Sequence, residues 1–212
     1  MGSFKQIAHT MGSFKQAYTA DCWLASDKEY SVSTGYQWLR QIHPPVPWRH
    51  VCWNALNILK CSFIFWAVQL QRLLTQDRML HIGFGQTTLC YLCATDDESH
   101  SHLFYQWSFS KKCVDLLQNA LGVRFQPELL SQWYSTGGAR SQLQRRVICA
   151  CHVSLTYTIW KVRNKARLEH FVFWPWKIIQ IVIKDIISRF WARIRSPVKL
   201  RDQTWLLQLS KL

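Results

Sequence analysis

Residues 148–166 have the sequence ICACHVSLTYTIWKVRNKA, and this stretch decides the fold. Its apolar side chains recur at spacings of three and four, the period of one face of an α-helix; they are Ile148, Cys151, Leu155, Ile159, Val162 and Ala166. Pro175 separates this stretch from a second apolar stripe, which consists of Ile179, Val182, Ile183, Ile186, Phe190 and Ile194. The pattern predicts two long amphipathic helices whose apolar stripes pair.

Shorter helices are expected upstream of this pair. One apolar face is predicted from the spacing of Phe63, Trp66, Ala67, Leu70, Leu73 and Leu74. Thr75 is expected to cap the next helix with its side chain, and Gly83 to end that helix. Ser108–Leu121 is predicted as a helix that stops at Gly122, whereas residues 87–107 lack a helical period. The sequence therefore predicts a mainly α fold in which an irregular Cys/His loop, similar to a zinc knuckle, precedes two long basic helices.

The chain is expected to divide into three regions. The hexapeptide MGSFKQ occurs at residues 1–6 and again at 11–16. This duplication is too short for a repeat fold, which needs about 20 residues per unit. We therefore expect residues 1–20 to form a poorly ordered leader. Residues 21–125 are expected to form a domain around the Cys/His loop, and residues 126–212 a basic helical tail.

Composition and charge narrow the class of protein. Hydrophobic residues make up 49% of the 212 residues, and twelve are Trp, which excludes a disordered chain. The net charge is +14, from 26 Lys and Arg against 12 Asp and Glu. Most of this excess is local, because residues 140–201 contain 14 basic and two acidic side chains. Such a segment favours a polyanionic partner.

The apolar stretches predict neither secretion nor a membrane anchor. The first twenty residues contain no apolar run, and the long apolar stretches further along are interrupted by His152, Lys177 and Lys184. We expect an intracellular protein, nuclear or cytoplasmic, with no signal peptide, transmembrane segment or membrane partner. In such a compartment the eight Cys are expected to be reduced, so metal binding is preferred to a disulfide for closely spaced thiols.

The strongest local signal for chemistry is a pair of cysteines followed by histidines. Cys90 and Cys93 have the Cys-x-x-Cys spacing, and His100 and His102 follow within one loop length. Two thiolates in such a turn can chelate one zinc ion at about 2.3 Å, and an imidazole can add a third ligand at about 2.0 Å. This spacing alone also fits a redox pair or two unrelated thiols.

The surroundings of this motif resemble a known family. The segments concerned are Pro47-Trp48-Arg49-His50-Val51-Cys52-Trp53-Asn54, Ser62-Phe63-Ile64-Phe65-Trp66, Arg72-Leu73-Leu74-Thr75-Gln76-Asp77-Arg78, Cys90-x-x-Cys93, Glu98-Ser99, His102-Leu103-Phe104-Tyr105, Phe109-Ser110 and Ile159-Trp160-Lys161-Val162-Arg163-Asn164. In this order and spacing they resemble the zinc-binding domain of plant LINE-type (non-LTR) retrotransposon proteins, which lies downstream of the reverse transcriptase. Tyr30-Ser31-Val32 and Gly35-Tyr36 resemble the entry to that domain.

The resemblance implies a zinc site with the ligand order Cys, Cys, His, Cys. Cys90, Cys93 and His102 match the first three ligands, but the fourth position holds Trp107, whose indole nitrogen has no free lone pair. Three arrangements then remain for zinc: His100 closes the tetrahedron, Cys113 does so, or water completes a three-ligand site. In the alternative without metal, Trp107 packs where the ion would lie.

The basic segment carries the candidate nucleic-acid contacts. They are Arg145, Arg146, Lys161, Arg163, Lys165 and Arg167, with Trp160 and Trp174 available to stack on unpaired bases. The alternative is that these cations form the solvated side of the two amphipathic helices. The sequence predicts binding to RNA or DNA without sequence specificity.

Catalysis is not expected. Asp96 and Asp97 lie in the Cys/His loop without the aromatic residue that precedes a polymerase aspartate pair, and only Glu169 and Asp185 are acidic between residues 140 and 201. The expected function is a non-catalytic zinc-binding accessory domain that assists RNA or DNA binding, with a reverse transcriptase of a related element as a further partner and no small-molecule substrate. The alternative is a metal-free helical relic that only contacts proteins or has no function.

Overall fold

The computed structural model describes residues 46–124, 140–169 and 174–211. The chain divides into two compact units, Met1–Pro45 and Val46–Leu212, and the described residues belong to the second. The predicted leader, the entry segment at residues 30–36 and the predicted boundary at residue 125 lie outside the described residues. The division into three regions therefore stays a prediction.

The described part of the chain is helical. In chain order its helices are α1 (Arg49–Cys52), α2 (Leu59–Gln69), α3 (Gln76–His81), α4 (Ser108–Leu121), α5 (Gln142–Glu169), α6 (Pro175–Arg193) and α7 (Leu200–Leu209). A single π-helical turn, His102–Gln106, precedes α4. Within these residues the only β pairing is an isolated antiparallel bridge between Leu89 and Asp97. The predicted mainly α class is confirmed.

The long helix α5 lies at the centre of this unit, with α1, α2, α4 and α6 packed around it. Ten consecutive residues, 147–156, are buried, so this part of α5 has no solvent-exposed face. The predicted stripe was too narrow here, because neighbouring helices cover α5 on several sides. Small side chains such as Ala150 and Cys151 permit the close approach of these neighbours.

The helix α6 pairs with α5 as the apolar stripes predict. Pro175 occupies its first turn, where a missing amide hydrogen costs nothing. The stripe from Ile179 to Phe190 is buried against α5 and α4, and Ile194 at its end is partly buried. Neither these two long helices nor any other described helix has the length and apolar content needed to cross a lipid bilayer.

The helix α4 has the predicted bounds. It begins at Ser108 and ends at Leu121, where Gly122 adopts a left-handed conformation with φ +63°. This conformation favours glycine and lets the chain turn away from the helix axis. Val123 then returns a backbone hydrogen bond to Gln118, with an N–O distance of 2.9 Å.

The predicted apolar face of α2 and the residues after it was only partly correct, because Ala67 and Leu73 are buried and Trp66 is partly buried but the other predicted residues are exposed. Phe63 is 58% exposed, whereas Phe65 is fully buried and lies edge-on to the His152 ring at 5.7 Å. Apolar side chains occur on all sides of the helix, with few polar residues between them, so the spacing did not show which face meets the core. Leu70 and Leu74, also assigned to the buried face, are exposed.

The capping of α3 also differs from the prediction. Thr75 is the N-cap residue, but its hydroxyl makes no capping hydrogen bond and is buried without a partner. Instead, the carboxylate of Glu98 accepts a hydrogen bond from the Gln76 amide at 3.0 Å, and the Glu98 carbonyl accepts one from the Asp77 amide at 3.2 Å. A residue from the Cys/His loop thus replaces the local cap.

Candidate metal centre

The structure brings three potential metal ligands together. The Sγ atoms of Cys90 and Cys93 and a ring nitrogen of His102 all lie within 4.8 Å of one another. The distance from Cys93 Sγ to His102 Nε2 is 3.5 Å. Ligands at the corners of a zinc tetrahedron are about 3.5 Å apart, given the usual zinc–sulfur and zinc–nitrogen lengths. The cluster therefore has the dimensions of a zinc site with three protein ligands.

A short hairpin-like loop holds the two cysteines. The Cys90 amide donates to the Asp96 carbonyl at 2.8 Å, and the Glu98 amide donates to the Thr88 carbonyl at 2.8 Å. Within the loop the Ala94 amide donates back to the Cys90 carbonyl at 2.8 Å, and Ala94 has a φ of +56°. This tight turn directs both sulfur atoms to the same side.

Backbone amides point at the sulfur atoms. The Leu92 amide nitrogen lies 3.4 Å from Cys90 Sγ. Burial nevertheless raises the pKa of Cys90 above its usual value. For Cys93 burial acts in the same direction, but hydrogen bonds from Thr95 and the Asp96 amide outweigh it and lower the pKa to about 6. These contacts favour the thiolate form of Cys93, which is the form that binds metal.

His102 is oriented from both sides of its ring. Its amide donates to the Ser99 hydroxyl at 3.0 Å, at the start of the π-helical turn. With Nε2 towards Cys93, Nδ1 lies 4.0 Å from a carboxylate oxygen of Asp96. A carboxylate behind the distal nitrogen is a common second partner of zinc-binding histidines, because it fixes the tautomer and raises the basicity of the ligand.

A buried ion pair fixes the loop to the helical core. The Glu98 side chain is fully buried, and Arg163 Nε donates to its two carboxylate oxygens at 3.0 and 3.1 Å. The same carboxylate accepts the Gln76 amide described above, so Glu98 joins the loop to α3 and α5. Arg163 is only 2% exposed. Its predicted role as a nucleic-acid contact was wrong, because the guanidinium is committed to Glu98 and closed off from solvent.

The two predicted candidates for a fourth ligand lie outside the cluster. His100 Nε2 accepts a hydrogen bond from the Leu73 amide at 3.1 Å, which occupies the lone pair that a metal would need. Cys113 is fully buried in α4, and burial raises its pKa to about 12, so it stays a thiol. Of the five predicted ligand residues the structure groups three, and the source of a fourth ligand stays a prediction.

Trp107 belongs to the hydrophobic core. Its side chain is 6% exposed and stacks on Phe109 with ring centroids 4.5 Å apart. Its amide closes the π-helical turn by donating to the His102 carbonyl at 2.7 Å. The resemblance implies a fourth ligand at this position. The position is occupied instead by a packed indole, which cannot bind a metal.

The remaining predicted nucleic-acid contacts do not form one continuous face. Arg145 and Arg146 lie near the start of α5, while Lys161, Lys165 and Arg167 lie near its end. The two groups are separated by about 22 Å along the helix axis, given 1.5 Å per residue. Lys165 pairs with Glu169 at 3.5 Å, and the Arg167 guanidinium lies 5.5 Å from the centre of the Tyr91 ring. The basic helix thus presents two separate cationic ends.

A cleft beside the first of these groups was missed by the sequence reasoning. Its volume is about 760 Å³, and it is lined by Arg49, His50, Trp53, Asn54, Ala55, Gln142, Arg145, Arg146 and Cys149. Trp53 is large and apolar, as core residues usually are, but 57% of it is exposed. The sequence signal was weak, because α1 has only four residues, which are too few to show which face of the helix meets the core.

The comparison with known families bears on the loop and the elements before it. Residues 30–113 match the family model described as zinc-binding in reverse transcriptase. The matched range contains Cys90, Cys93 and His102 and ends inside α4. It confirms the predicted resemblance to a reverse-transcriptase zinc-binding domain over this part of the chain. Searches of curated proteins and of solved structures found no match.

The reverse-transcriptase zinc-binding domain is an accessory module and not the catalytic part of such proteins. The possible ligands of this chain suit the metal in the family description. Zinc binds thiolates and imidazoles, whereas calcium and magnesium bind oxygen ligands. The match ends before α5 and α6, so the basic helices lie outside it.

Proposed function

We propose that this protein is a non-catalytic zinc-binding accessory domain from a LINE-type retrotransposon of plant origin. The observation that carries the proposal is the cluster of Cys90, Cys93 and His102 inside the region that matches the family model. Zinc bound there would act structurally by tying the two cysteines of the hairpin to the π-helical turn. The residues themselves orient the site through Asp96, Ser99 and the amides around the sulfurs.

The accessory role is proposed to be nonspecific binding of RNA or DNA, in an intracellular setting, nuclear or cytoplasmic. Residues 140–201 carry most of the net positive charge of the chain. Cations at both ends of α5 can neutralise phosphates, and Arg145 and Arg146 have no carboxylate partner among the described residues. The protein would help a reverse transcriptase encoded by a related element to hold its template.

Metal content of the purified protein tests the zinc site. Elemental mass spectrometry of the wild-type protein is expected to give one equivalent of zinc, and Cys90→Ser/Cys93→Ser is expected to give none. Cys149→Ala is the matched control, because it removes a buried thiol on α5 and should leave the zinc content unchanged. A wild-type protein without zinc after purification in zinc-containing medium would contradict the proposal.

A second candidate function follows from Trp107. The indole fills a core position where the resemblance implies a ligand, and this favours a metal-free helical domain that contacts proteins or has lost its function. The two candidates differ in the response to Cys90→Ser/Cys93→Ser. The zinc domain loses the stability that the bound metal supplies, whereas the metal-free domain loses only what a hydroxyl costs at the buried Cys90 position, since Cys93 lies at the edge of the core.

A further inference from the structure

The cleft between α1 and the start of α5 is built from cationic and aromatic side chains. Arg49, Arg145 and Arg146 line it together with Trp53, and none of its lining residues is acidic. Within the described part of the chain no carboxylate forms an ion pair with these three arginines. Unpaired guanidinium groups around one concave surface attract a multiply charged anion, and phosphate suits their planar geometry.

The walls of the cleft are held in place by hydrogen bonds. The Asn54 side-chain amide donates to the Arg146 carbonyl at 2.7 Å, and its oxygen accepts the Leu56 amide at 3.1 Å. Arg189 of α6 donates to the Leu56 carbonyl at 2.9 Å and fixes the same turn from the other side. The cleft therefore exists before any ligand arrives, which lowers the entropic cost of binding.

The start of α5 forms one side of the cleft and is fixed by its own capping hydrogen bonds. Gln142, the first residue of α5, lines the cleft. Ser141 and Gln144 form a capping box there: the Gln144 amide donates to the Ser141 hydroxyl at 3.1 Å, and the Ser141 amide donates to the Gln144 side chain at 3.4 Å. The Ser141 hydroxyl also donates to the buried Asp202 carboxylate at 2.9 Å, which offsets the positive end of the helix dipole, so the arginines supply the positive charge of the cleft.

Trp53 decides which polyanion fits. Its indole is 57% exposed on the wall of the cleft and offers a flat apolar surface. An anionic peptide or a duplex has no unpaired base to place on this ring, whereas a single strand has one at every nucleotide. The volume of about 760 Å³ lies within the range of about 300–1,000 Å³ that small ligands occupy.

We propose that this cleft binds one nucleotide of a single-stranded nucleic acid, with the phosphate on Arg49, Arg145 and Arg146 and the base stacked on Trp53. The inference rests on the proposed nucleic-acid role and assigns it a place on the molecule. The sugar–phosphate backbone on either side of this nucleotide continues over the exposed surface. Because stacking accepts any base, the site confers a preference for single strands without sequence specificity.

The test measures binding of a labelled 15-nucleotide oligothymidylate and of a 15-base-pair duplex by fluorescence anisotropy. Trp53→Ala is expected to weaken oligothymidylate binding about 5- to 150-fold, because stacking contributes about 1–3 kcal/mol per base. Duplex binding should change less than about twofold, and Trp53→Phe should retain most of the affinity for the single strand. Circular dichroism of each variant checks that the fold is intact.

The arginines are tested against a control of equal charge. Arg145→Gln/Arg146→Gln is expected to reduce the slope of log affinity against log salt by up to about 0.7, since the two side chains share one phosphate and each neutralised phosphate of a single strand contributes about 0.7. Lys111→Gln/Lys112→Gln removes the same charge from the exposed side of α4 and should change the slope by less than half as much. Equal changes in the two double variants would overturn the site and leave only diffuse electrostatic binding.

Further outcomes separate this inference from the proposed function. If the wild-type protein binds the oligonucleotide but Trp53→Ala does not weaken it, the cleft is not the site, while the nucleic-acid role stands. If no nucleic acid binds at low salt, both fail, and the zinc content still reports separately on the metal centre. If free thymidine monophosphate binds as tightly as the oligothymidylate, the cleft is a mononucleotide site and the proposal is overturned. If a polyglutamate peptide binds as tightly and Trp53→Ala weakens it equally, the cleft binds anionic peptides and the proposal is likewise overturned.

Discussion

The two cysteines of the loop differ in their chemistry although only two residues separate them. Cys90 is 1% exposed, and burial raises its pKa, whereas hydrogen bonds lower the pKa of Cys93 to about 6. The sequence motif predicts two equivalent ligands. The difference arises from the turn, which directs Thr95 and the Asp96 amide towards one sulfur only.

This asymmetry predicts one fast-reacting thiol in metal-free protein. At pH 7 Cys93 is about nine-tenths thiolate if its pKa is near 6, and alkylation by iodoacetamide requires the thiolate. The rate of the fast phase should fall with decreasing pH around a midpoint near 6, because protonation of Cys93 removes the nucleophile. Stopped-flow alkylation followed by peptide mass spectrometry measures this profile.

Cys93→Ser is the control for that experiment and should abolish the fast phase, while Cys90→Ser should leave a fast-reacting thiol in place. Added zinc should slow the reaction by binding the thiolate. A midpoint above pH 8 would contradict the assigned hydrogen bonds.

Glu98 shows how a single carboxylate can serve several elements. It pairs with Arg163, caps α3 and closes the loop, and its partner on α5 is 65 positions away in sequence. Because its partners come from distant segments, the sequence identified the position through family resemblance but not its role. Thr75, the expected cap, directly precedes α3 in sequence, but its hydroxyl makes no capping hydrogen bond.

Replacement of this carboxylate should be costly. Glu98→Gln keeps an acceptor for the Gln76 amide but leaves the Arg163 charge buried and unpaired, which should destabilise the protein by about 3–5 kcal/mol. Urea unfolding at pH 7, followed by circular dichroism, measures the loss.

The exposed pair Lys165–Glu169 is the comparison, and Glu169→Gln should cost no more than about 1 kcal/mol. Adding Arg163→Met to Glu98→Gln should restore part of the stability, since it removes the uncompensated charge. Equal losses for Glu98→Gln and Glu169→Gln would contradict the burial of the Glu98 pair.

At the scale of helices, α2 shows where periodicity is uninformative. A helix that is apolar on all sides gives no preferred face, and its orientation is set by the neighbours that cover it. The stripe of α6 was predicted correctly because polar residues separate its apolar positions at helical spacing and Pro175 marks its start. The bounds of α4 were predicted correctly because Gly122 marks its end. For α5 the period was correct, but the number of covering helices could not be inferred.

Two phenylalanines of α2 provide a matched pair for this point. Phe65→Ala should destabilise the protein by about 3–5 kcal/mol, because it empties a fully buried site. Phe63→Ala should cost about 0.5 kcal/mol or less, because most of that side chain is already in water. Thermal or urea unfolding of the two variants distinguishes them, and a larger loss for Phe63→Ala would restore the face predicted from the sequence.

At the scale of the whole molecule, the hydrophobic core and the metal loop are largely separate. The core cluster takes its side chains from the helices, including α2, α4, α5, α6 and α7, whereas residues 87–101 contribute only Leu92 and Cys93 at its edge. The family resemblance located the three clustered ligands correctly. It could not show that His100 Nε2 accepts a hydrogen bond from the Leu73 amide, because this contact depends on how the loop packs on α2 and α3.

Removal of metal should therefore have a local effect. Chelation of the zinc-loaded protein is expected to increase amide hydrogen exchange between residues 88 and 102, while α5 and α6 keep their protection. Far-UV circular dichroism should change little, because the long helices are held by apolar packing. Hydrogen exchange with mass spectrometry resolves the two regions, and a cooperative loss of protection in α5 would show that the fold depends on the metal.

The continuous helix α5 fixes the distance between its two ends. Its 28 residues extend for about 42 Å, with the arginine-lined cleft at its beginning and the partners of the Cys/His loop, Arg163 and Arg167, near its end. A helix packed on several sides does not bend to suit a ligand. A nucleic acid bound at both ends, as the proposed function would require of an extended site, would have to span this fixed length.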